Sequence, residues 1–534
     1  MRRKVVLCAL AALLGATALA GCGSSASTKL TSAKDRVVVG YYADWDMYVR
    51  GFPIYLPLSA TRMKRLLDAE HLTHLNYAFA KIDYVQKIVS DKKVKTTLTI
   101  VQPGPPTLPA NTVGLQKLKT DFAETPVRVS SGDGHTTFTV ATTGSFVDTS
   151  MTAKLTQLAI DFPQGHITSS TDVVPAKVTT TPTVVQVDQM TDPINFKNIK
   201  LLRKEFPKLK VLISIGGWTL SDKFSSSLKT DAERKALAKS AIDYMKTNGF
   251  DGIDLDWEFP VCCGSETEKQ YAAANNGLSR YSPDDRHNLT LWLKELRNQL
   301  DDLGKRNDTR YLLTIAAAAG PDMVKKAYEV KEIGKIVDWI DVMAYDFHVP
   351  VTQVANLSAP LTQNPADPDK AKKYTATDAI DFYEKSGVPA SKLVLGVPFY
   401  GHGWMGCPPA NHGEFQTCTG NAQKGGTWIK LDATAWGEYD YWDLKKSYIG
   451  KNGFKRYWDA KAQVPFLYNA KTGQWISYDD PQSVAAKAKL VVDKGLRGGM
   501  FWEAAMDHNQ GLQVELYDDI MGRKPSESAS AAKQ

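Results

Sequence analysis

The chain lacks any apolar run long enough to be read as a membrane span, and cysteine is scarce, with 6 residues in 534. There are no CxxC pairs and no clustered histidines, which argues against a zinc site. No glycine-rich phosphate-binding turn follows the first β-rich run, which disfavours an open dinucleotide-binding sheet. A basic footprint for nucleic acid is also missing. The formal charge is only +7, and Arg2, Arg3 and Lys4 at the extreme N-terminus supply three of those charges. Nothing calls for a metal or an organic cofactor. The composition, 43% hydrophobic and 23% charged, excludes a disordered or collagenous chain. Aromatic residues are abundant: 12 Trp, 22 Tyr and 18 Phe. Most such rings fill cores, but exposed ones offer flat apolar faces that stack on sugars.

The N-terminus reads as an export signal over residues 1–21. The basic stretch MRRK precedes an apolar run from Val5 to Leu14 and then small residues. Leu19-Ala20-Gly21-Cys22 resembles a bacterial lipobox, which makes Cys22 the expected lipidation site. The protein is then expected outside the cell, either held on the membrane by an N-terminal lipid anchor or secreted. The alternative is an ordinary signal peptide with an incidental cysteine. Residues 22–35, including GSSASTKLTSAK, are expected to form a flexible tether, and residues 521–534 a disordered tail. Besides Cys8 and Cys22, four cysteines remain: Cys262, Cys263, Cys407 and Cys418. An oxidising compartment permits disulfides. Cys407 and Cys418 bracket a short loop that one bridge could close, but three pairings of the four are possible in principle.

From residue 36 to 520, short β-rich apolar runs alternate with helical stretches. RVVVGYYADW, HLTHLNYAFA, KVLISIGGW, FDGIDLDWEF, YLLTIAAAAG, VDWIDVMAYDF, KLVLGVPFYG and GGMFWEAA are eight candidate strands. Amphipathic segments such as DAERKALAKSAIDYMKTNG lie between several of them. The alternation predicts a parallel sheet, and eight units predict a closed (β/α)8 TIM barrel. Two insertions interrupt it. Residues 86–190 are rich in Thr, Val and Ser, and HTTFTVATT alternates with period two, so a β-rich insertion is expected after the second strand, near one rim of the site. Residues 404–472 are dense in Trp, Tyr and Gly and are expected to form an α+β lobe between strands seven and eight.

The chemistry concentrates in FDGIDLDWEFP, residues 250–260. Side chains two apart on a strand share a face, so Asp254, Asp256 and Glu258 point one way and Ile253, Leu255 and Trp257 the other. Asp251 falls outside the alternation and belongs to the start of the strand. Three acids on an inward face repel one another and are costly to bury as charges. That arrangement can keep Glu258 protonated as a general acid, with Asp256 placed to share its proton. A solvent-facing strand is the competing reading, but parallel strands are normally covered on both faces. A hard-cation site fits less well, because alternate positions on one strand make a row and not a cage.

DGIDLDWE resembles the DxxDxDxE signature of family 18 glycoside hydrolases, the chitinase-like enzymes. KVLISIGGW is similar to their SxGG strand and VMAYDF to their MxYD strand. GYYADW, LNYAFA, GVPFYGHGW and GGMFWEAAMD look like the same family in the same order. The resemblance spans residues 36–520 except the 86–190 insertion. It implies retaining, substrate-assisted hydrolysis of β-1,4-linked N-acetylglucosamine polymers such as chitin, or of their oligomers. Glu258 would protonate the glycosidic oxygen while the substrate's own acetamido carbonyl attacks the anomeric carbon. Asp256 would orient the acetamido group, with Asp254 behind it, and Tyr345 would donate to the acetamido oxygen. Met343 and Asp346 would line the same pocket. Trp502 would form its floor and Trp218 would stack one subsite further on; Trp404 is a candidate to line substrate, and Tyr42 and Phe79 fit either substrate lining or the core. Many relatives carry Arg where this chain has His402; imidazole does not reproduce arginine's planar fork, so a contact there is expected to be weaker or pH-dependent. The alternatives are an endo-β-N-acetylglucosaminidase acting on N-glycan or peptidoglycan-type substrates, and a catalytically weak sugar-binding protein on the same barrel. A monomer is expected.

Overall fold

The computed structural model describes residues 30 and 32–523, apart from 58–62, 91–92, 122–126, 144–156, 158–159, 163, 175–176, 264–279, 421–425 and 428–436. Eight parallel strands form the main unit: β1 (Val37–Ala43), β2 (His74–Ser90), β3 (Lys210–Gly216), β4 (Gly252–Asp256), β5 (Leu312–Ala318), β6 (Trp339–Met343), β7 (Leu393–Pro398) and β8 (Gly498–Trp502). Each pairs with the next in chain order, and β1 pairs with both β2 and β8, so the sheet closes. This is the expected (β/α)8 barrel, and each of its strands falls within one of the eight apolar runs or extends from it.

Alternation within each strand sorts residues into two layers. Ile253, Leu255 and Trp257 join the large cluster beneath the helices, where Trp257 stacks on Phe224 at 5.0 Å. The helix Asp231–Asn248 covers this face because its ends are well defined. Thr230 and Glu233 form a reciprocal capping box, and Gly249 closes the helix in the left-handed region at φ 77°. The helix Asp285–Asn307 buries Leu289, Trp292, Leu293, Leu296 and Leu300, a stripe of helical period. The opposite parity points inward: Val37, Val39 and Tyr41 of β1 meet Trp339, Val394 and Met500 inside the barrel.

Residues 83–183 form a second compact unit. Its antiparallel sheet runs in the order Val127–Gly132, His135–Thr143, Lys93–Pro103, His166–Val174. HTTFTVATT is an inner strand of that sheet, and Phe138 and Val140 are buried with Leu98, Ile100, Leu118 and Phe162. The helix Pro109–Asp121, which supplies Leu118, does not follow from the period-two pattern around it.

The lobe within the barrel chain is an antiparallel sheet built from Tyr400–Trp404, Glu438–Asp440, Lys455–Asp459, Val464–Asn469 and Gln474–Ser477. It is wider at both ends than the expected 404–472. The disulfides are Cys407–Cys418, within the lobe, and the vicinal pair Cys262–Cys263.

The export signal, Cys8 and Cys22 lie outside the described residues. Two boundaries are corrected. From Leu30 the chain is already tied to the barrel, since its N–H donates to the Gly495 carbonyl at 3.0 Å and Ser32 caps a short helix, Ala33–Asp35. The expected tether to residue 35 is therefore too long. At the other end, Met521 closes the helix Leu512–Met521, and Arg523 lies over the Tyr517 ring at 4.8 Å. Any tail starts later than 521, and residues 524–534 lie outside the described residues. Among the described residues, no helix is long and apolar enough to cross a membrane.

Candidate active site

The acidic row of β4 occupies the barrel axis. Asp254 is fully buried and accepts three hydroxyl hydrogen bonds: from Tyr41 on β1 at 2.7 Å, Ser214 on β3 at 2.8 Å and Thr314 on β5 at 2.7 Å. Burial pushes its proton affinity up, and the hydroxyls pull it back by solvating the charged form. Asp256 is only 4% exposed, and its Oδ1 has no hydrogen-bond partner among the described residues. Burial, then the charges of Glu258, Asp254 and Asp341, raise it well above the ordinary carboxylate range. The row is therefore asymmetric. Negative charge settles best on Asp254, which has donors, and a proton settles best on the groups above it.

Glu258 lies just beyond the end of β4 and keeps some solvent exposure. Its backbone N–H donates to Ser221 Oγ at 2.9 Å. Burial, reinforced by the charge of Asp346, raises its carboxyl to about 8. A carboxylic acid that is accessible and still protonated at neutral pH is suited to donate a proton.

The glycines of SIGG make room for this row. A Cβ on Gly216 would lie 2.0 Å from the Asp256 carbonyl oxygen, and one on Gly217 would lie 2.7 Å from the Phe79 ring. Both residues also have positive φ, 116° and 90°, so only glycine fits.

Beyond β6, Tyr345 sits above Met343, and the missing side chain of Gly396 accommodates its ring. Its hydroxyl lies 3.9 Å from Met500 Sδ, and burial with the surrounding carboxylates raises its pKa, so it stays a neutral donor. Asp346 takes a left-handed backbone at φ 55° and accepts from Tyr400 OH at 2.7 Å, with His402 Nε2 at 2.9 Å from the same oxygen. Trp502, at the end of β8, stacks on Phe79 at 5.7 Å and leans on Tyr41 at 5.5 Å and Trp45 at 6.3 Å. These rings make an aromatic floor. Trp218, after β3, is 48% exposed, an unusual state for so large a ring.

The structure therefore gathers Asp254, Asp256, Met343, Phe79 and Trp502 on the barrel's inner face, with Glu258, Tyr345 and Asp346 following the ends of β4 and β6. Two expected residues do not belong there. Tyr42 has outward parity, is fully buried beneath the helices and donates to the Phe52 carbonyl at 2.9 Å; its neighbour Tyr41 is the inward ring. Trp404 is 2% exposed in the lobe core, with its indole N–H on the Thr352 carbonyl and its ring edge-on to Trp475. Neither can line substrate.

Several side chains that shape the site were not expected. Tyr41, Ser214 and Thr314 each have the inward phase of their strand, as their hydrogen bonds to Asp254 show. Asp341 shares the inward face with Met343, is fully buried, and accepts from the Trp339 indole N–H. Arg50 is buried against Asp46, Asp440 and Glu503, the residue after Trp502. No local pattern marks that cluster, because its members come from three distant segments. Among the described residues, no group of His, Cys, Asp and Glu is arranged to hold a metal ion.

Comparison with known proteins adds an independent line. Residues 37–507 match the family described as Glycosyl hydrolases family 18. The chain is 42% identical to Chitinase A1 of Niallia circulans over 331 residues, which are 61% of this chain and 44% of that protein. It is 35% identical to Chitinase 1 of Aphanocladium album over 311 residues, 58% of this chain and 64% of the other. It thus spans less than two thirds of either relative. Among solved structures, Chitinase ChiA74 from Bacillus thuringiensis superposes with a TM-score of 0.65 at 30% identity, covering 92% of this chain and 70% of that one.

Proposed function

The chain belongs to glycosyl hydrolase family 18, and from that premise we propose that it is a chitinase. It hydrolyses β-1,4-linked N-acetylglucosamine chains with retention of configuration. Glu258 is the general acid and protonates the leaving oxygen. The substrate's acetamido carbonyl closes on the anomeric carbon to give an oxazolinium ion, and water, deprotonated by Glu258, reopens it. Asp256 turns to the acetamido N–H and stabilises the positive charge, and Asp254 supports it. Tyr345 donates to the acetamido oxygen as that atom becomes the nucleophile. Met343 and Asp346 line the pocket, Trp502 over Phe79 supports the distorted sugar, and Trp218 stacks on a neighbouring one.

The observation that carries this reading is the acidic row itself: an accessible carboxylic acid held protonated to about pH 8, two residues from a buried carboxyl with one oxygen that has no partner among the described residues. Incubating the purified protein with chitin hexasaccharide and separating the products tests it. The expected result is shorter chitooligosaccharides. No cleavage, with release of glycan from an N-glycosylated peptide, would instead assign an endo-β-N-acetylglucosaminidase.

Two further outcomes follow. Trp218→Ala should raise KM for the hexasaccharide about tenfold, the loss of about 1.4 kcal/mol of stacking. Steady-state kinetics on short and long oligomers checks this, and an unchanged KM on both would take Trp218 out of the substrate path. The second concerns export and anchoring through Cys22. The expressed protein should incorporate labelled fatty acid, and Cys22→Ser should abolish the labelling. Equal labelling of both proteins would rule that anchor out.

A further inference from the structure

The turn that follows the general acid is held in a conformation its own sequence resists. Glu258 is anchored on its N-terminal side by Ser221, whose Oγ accepts its N–H at 2.9 Å. On the other side the chain reverses at once. Phe259 and Cys262 exchange backbone N–H to carbonyl hydrogen bonds at 3.2 and 3.3 Å. Pro260 and Val261 are the central residues of that turn, and Val261 has φ 68°. Proline second with a positive φ third is the pattern of a type II turn, whose third place favours glycine. A valine, branched at Cβ, is costly there. Cys263 is also left-handed, at φ 72°. Such a segment persists only where its surroundings over-determine it.

Two features do so. The first is Asp285, fully buried at the start of the helix Asp285–Asn307. Its carboxylate accepts from the Val261 N–H at 3.4 Å, the Ser282 N–H at 2.7 Å and the Ser225 hydroxyl at 2.7 Å. The second is the Cys262–Cys263 disulfide. A bridge between chain neighbours closes a small ring that contains their shared peptide, so the backbone leaving the turn loses its freedom. The bridge also straddles a boundary. Cys262 is half-buried, with Sγ 3.6 Å from Met323 Sδ on the helix Pro321–Ala327, whereas Cys263 is exposed. A disulfide with one exposed half is open to attack by a thiolate.

We propose that the Cys262–Cys263 bridge is a thiol–disulfide exchange site whose closed form positions Glu258, and that a small dithiol, by opening it, lowers turnover while substrate still binds. One thiolate of the dithiol attacks Cys263 Sγ, a mixed disulfide forms, and Cys262 leaves and takes up a proton. The second thiolate then displaces Cys263. The bridge becomes two thiols and the dithiol a cyclic disulfide, with two electrons and two protons passed to the protein. With the ring open, Val261 relaxes toward extended backbone and the Phe259–Cys262 hydrogen bonds part. Glu258 then keeps its Ser221 anchor but loses the one that follows it. The inference rests on the reading of Glu258 as the acid. Phe79, Trp218 and Trp502 belong to other segments, so the sugar contacts assigned to them survive.

The test is kinetics on a fluorogenic chitobioside before and after dithiothreitol, with alkylation and peptide mass spectrometry reporting which bridge has opened. Opening Cys262–Cys263 should lower kcat at least about tenfold, since a misplacement of about 1 Å can cost about a hundredfold. KM should stay within about twofold. Chitooligosaccharide should still bind at full stoichiometry by calorimetry, and reoxidation should restore turnover. The double variant Cys262→Ser with Cys263→Ser should start at the low kcat and ignore the dithiol, which separates this bridge from Cys407–Cys418. If that variant does not fold, the parent decides alone, because turnover must fall in step with labelling of Cys262 and Cys263. Four results would each overturn the proposal: an unchanged kcat with the bridge open, a bridge that stays closed in excess dithiol, equal dithiol losses in parent and double variant, or lost binding stoichiometry. Glu258→Gln measured alongside separates the two failures. If it retains activity, the acid has been misassigned; if it is inactive while kcat ignores the open bridge, only the disulfide proposal falls.

Discussion

Glu258→Gln should lower kcat by about 10²–10⁴-fold while leaving oligosaccharide binding largely intact. Glutamine keeps the size of the side chain and its place above Asp256 but has no acidic proton to give. In the parent, activity should persist up to about pH 8 and fall above it, as the carboxyl held near that value ionises. The same substitution should also change stability in a pH-dependent way. The folded protein holds a proton on Glu258 that the unfolded chain loses near the ordinary value of 4.5. The unfolded state is therefore favoured as pH rises through that window, and the parent loses stability between about 4.5 and about 8. Glutamine has no such ionisation. Calorimetric melting should show Glu258→Gln equal to the parent at acid pH and increasingly more stable toward pH 8. Near-parental turnover in this variant would remove Glu258 from its role, and a melting difference that is constant with pH would remove the raised proton affinity.

Asp256→Asn should cost about 10²–10³-fold in kcat, comparable to losing one preorganised electrostatic contact in a water-excluded site. The reason lies in the surroundings of Asp256. It is buried, one oxygen has no partner among the described residues, and it is placed between the hydroxyl-solvated Asp254 and the protonated Glu258. Asparagine reproduces the shape but cannot take up the negative charge that an oxazolinium ion needs nearby. The loss should therefore depend on the acetamido group. Comparing turnover on N-acetylated substrates with that on any accepted substrate lacking the acetyl group checks this, and an equal loss on both would contradict the assignment.

Much of the barrel was legible because period-two alternation and eight repeats of strand and helix are written in local pattern. The inward phase of β4 could likewise be read from IDLDWE, since a strand offers only two faces. What was not legible shares one cause: it depends on contacts between segments far apart in the chain. Tyr41 and Tyr42 are adjacent tyrosines on one strand, and choosing between them requires knowing which phase points inward, which the surrounding Val and Tyr residues do not reveal. Trp404 follows a site motif, yet the lobe sheet already begins at Tyr400, so by 404 the chain has left the barrel and the ring packs on Trp475. The carboxylates around Arg50 come from residues 46, 440 and 503 and carry no common spacing. The vicinal bridge Cys262–Cys263 could not be chosen over its alternatives from spacing alone.

Substrate-assisted retention is tested most sharply by the anomeric configuration of the first products from chitin hexasaccharide, followed by time-resolved NMR before mutarotation. Attack by the acetamido oxygen followed by water inverts the anomeric carbon twice, so the new reducing ends should appear first as the β-anomer and drift toward equilibrium. Initial α-anomer would mean a single direct displacement by water, and would contradict the roles of Asp256, Tyr345 and the acetamido group together.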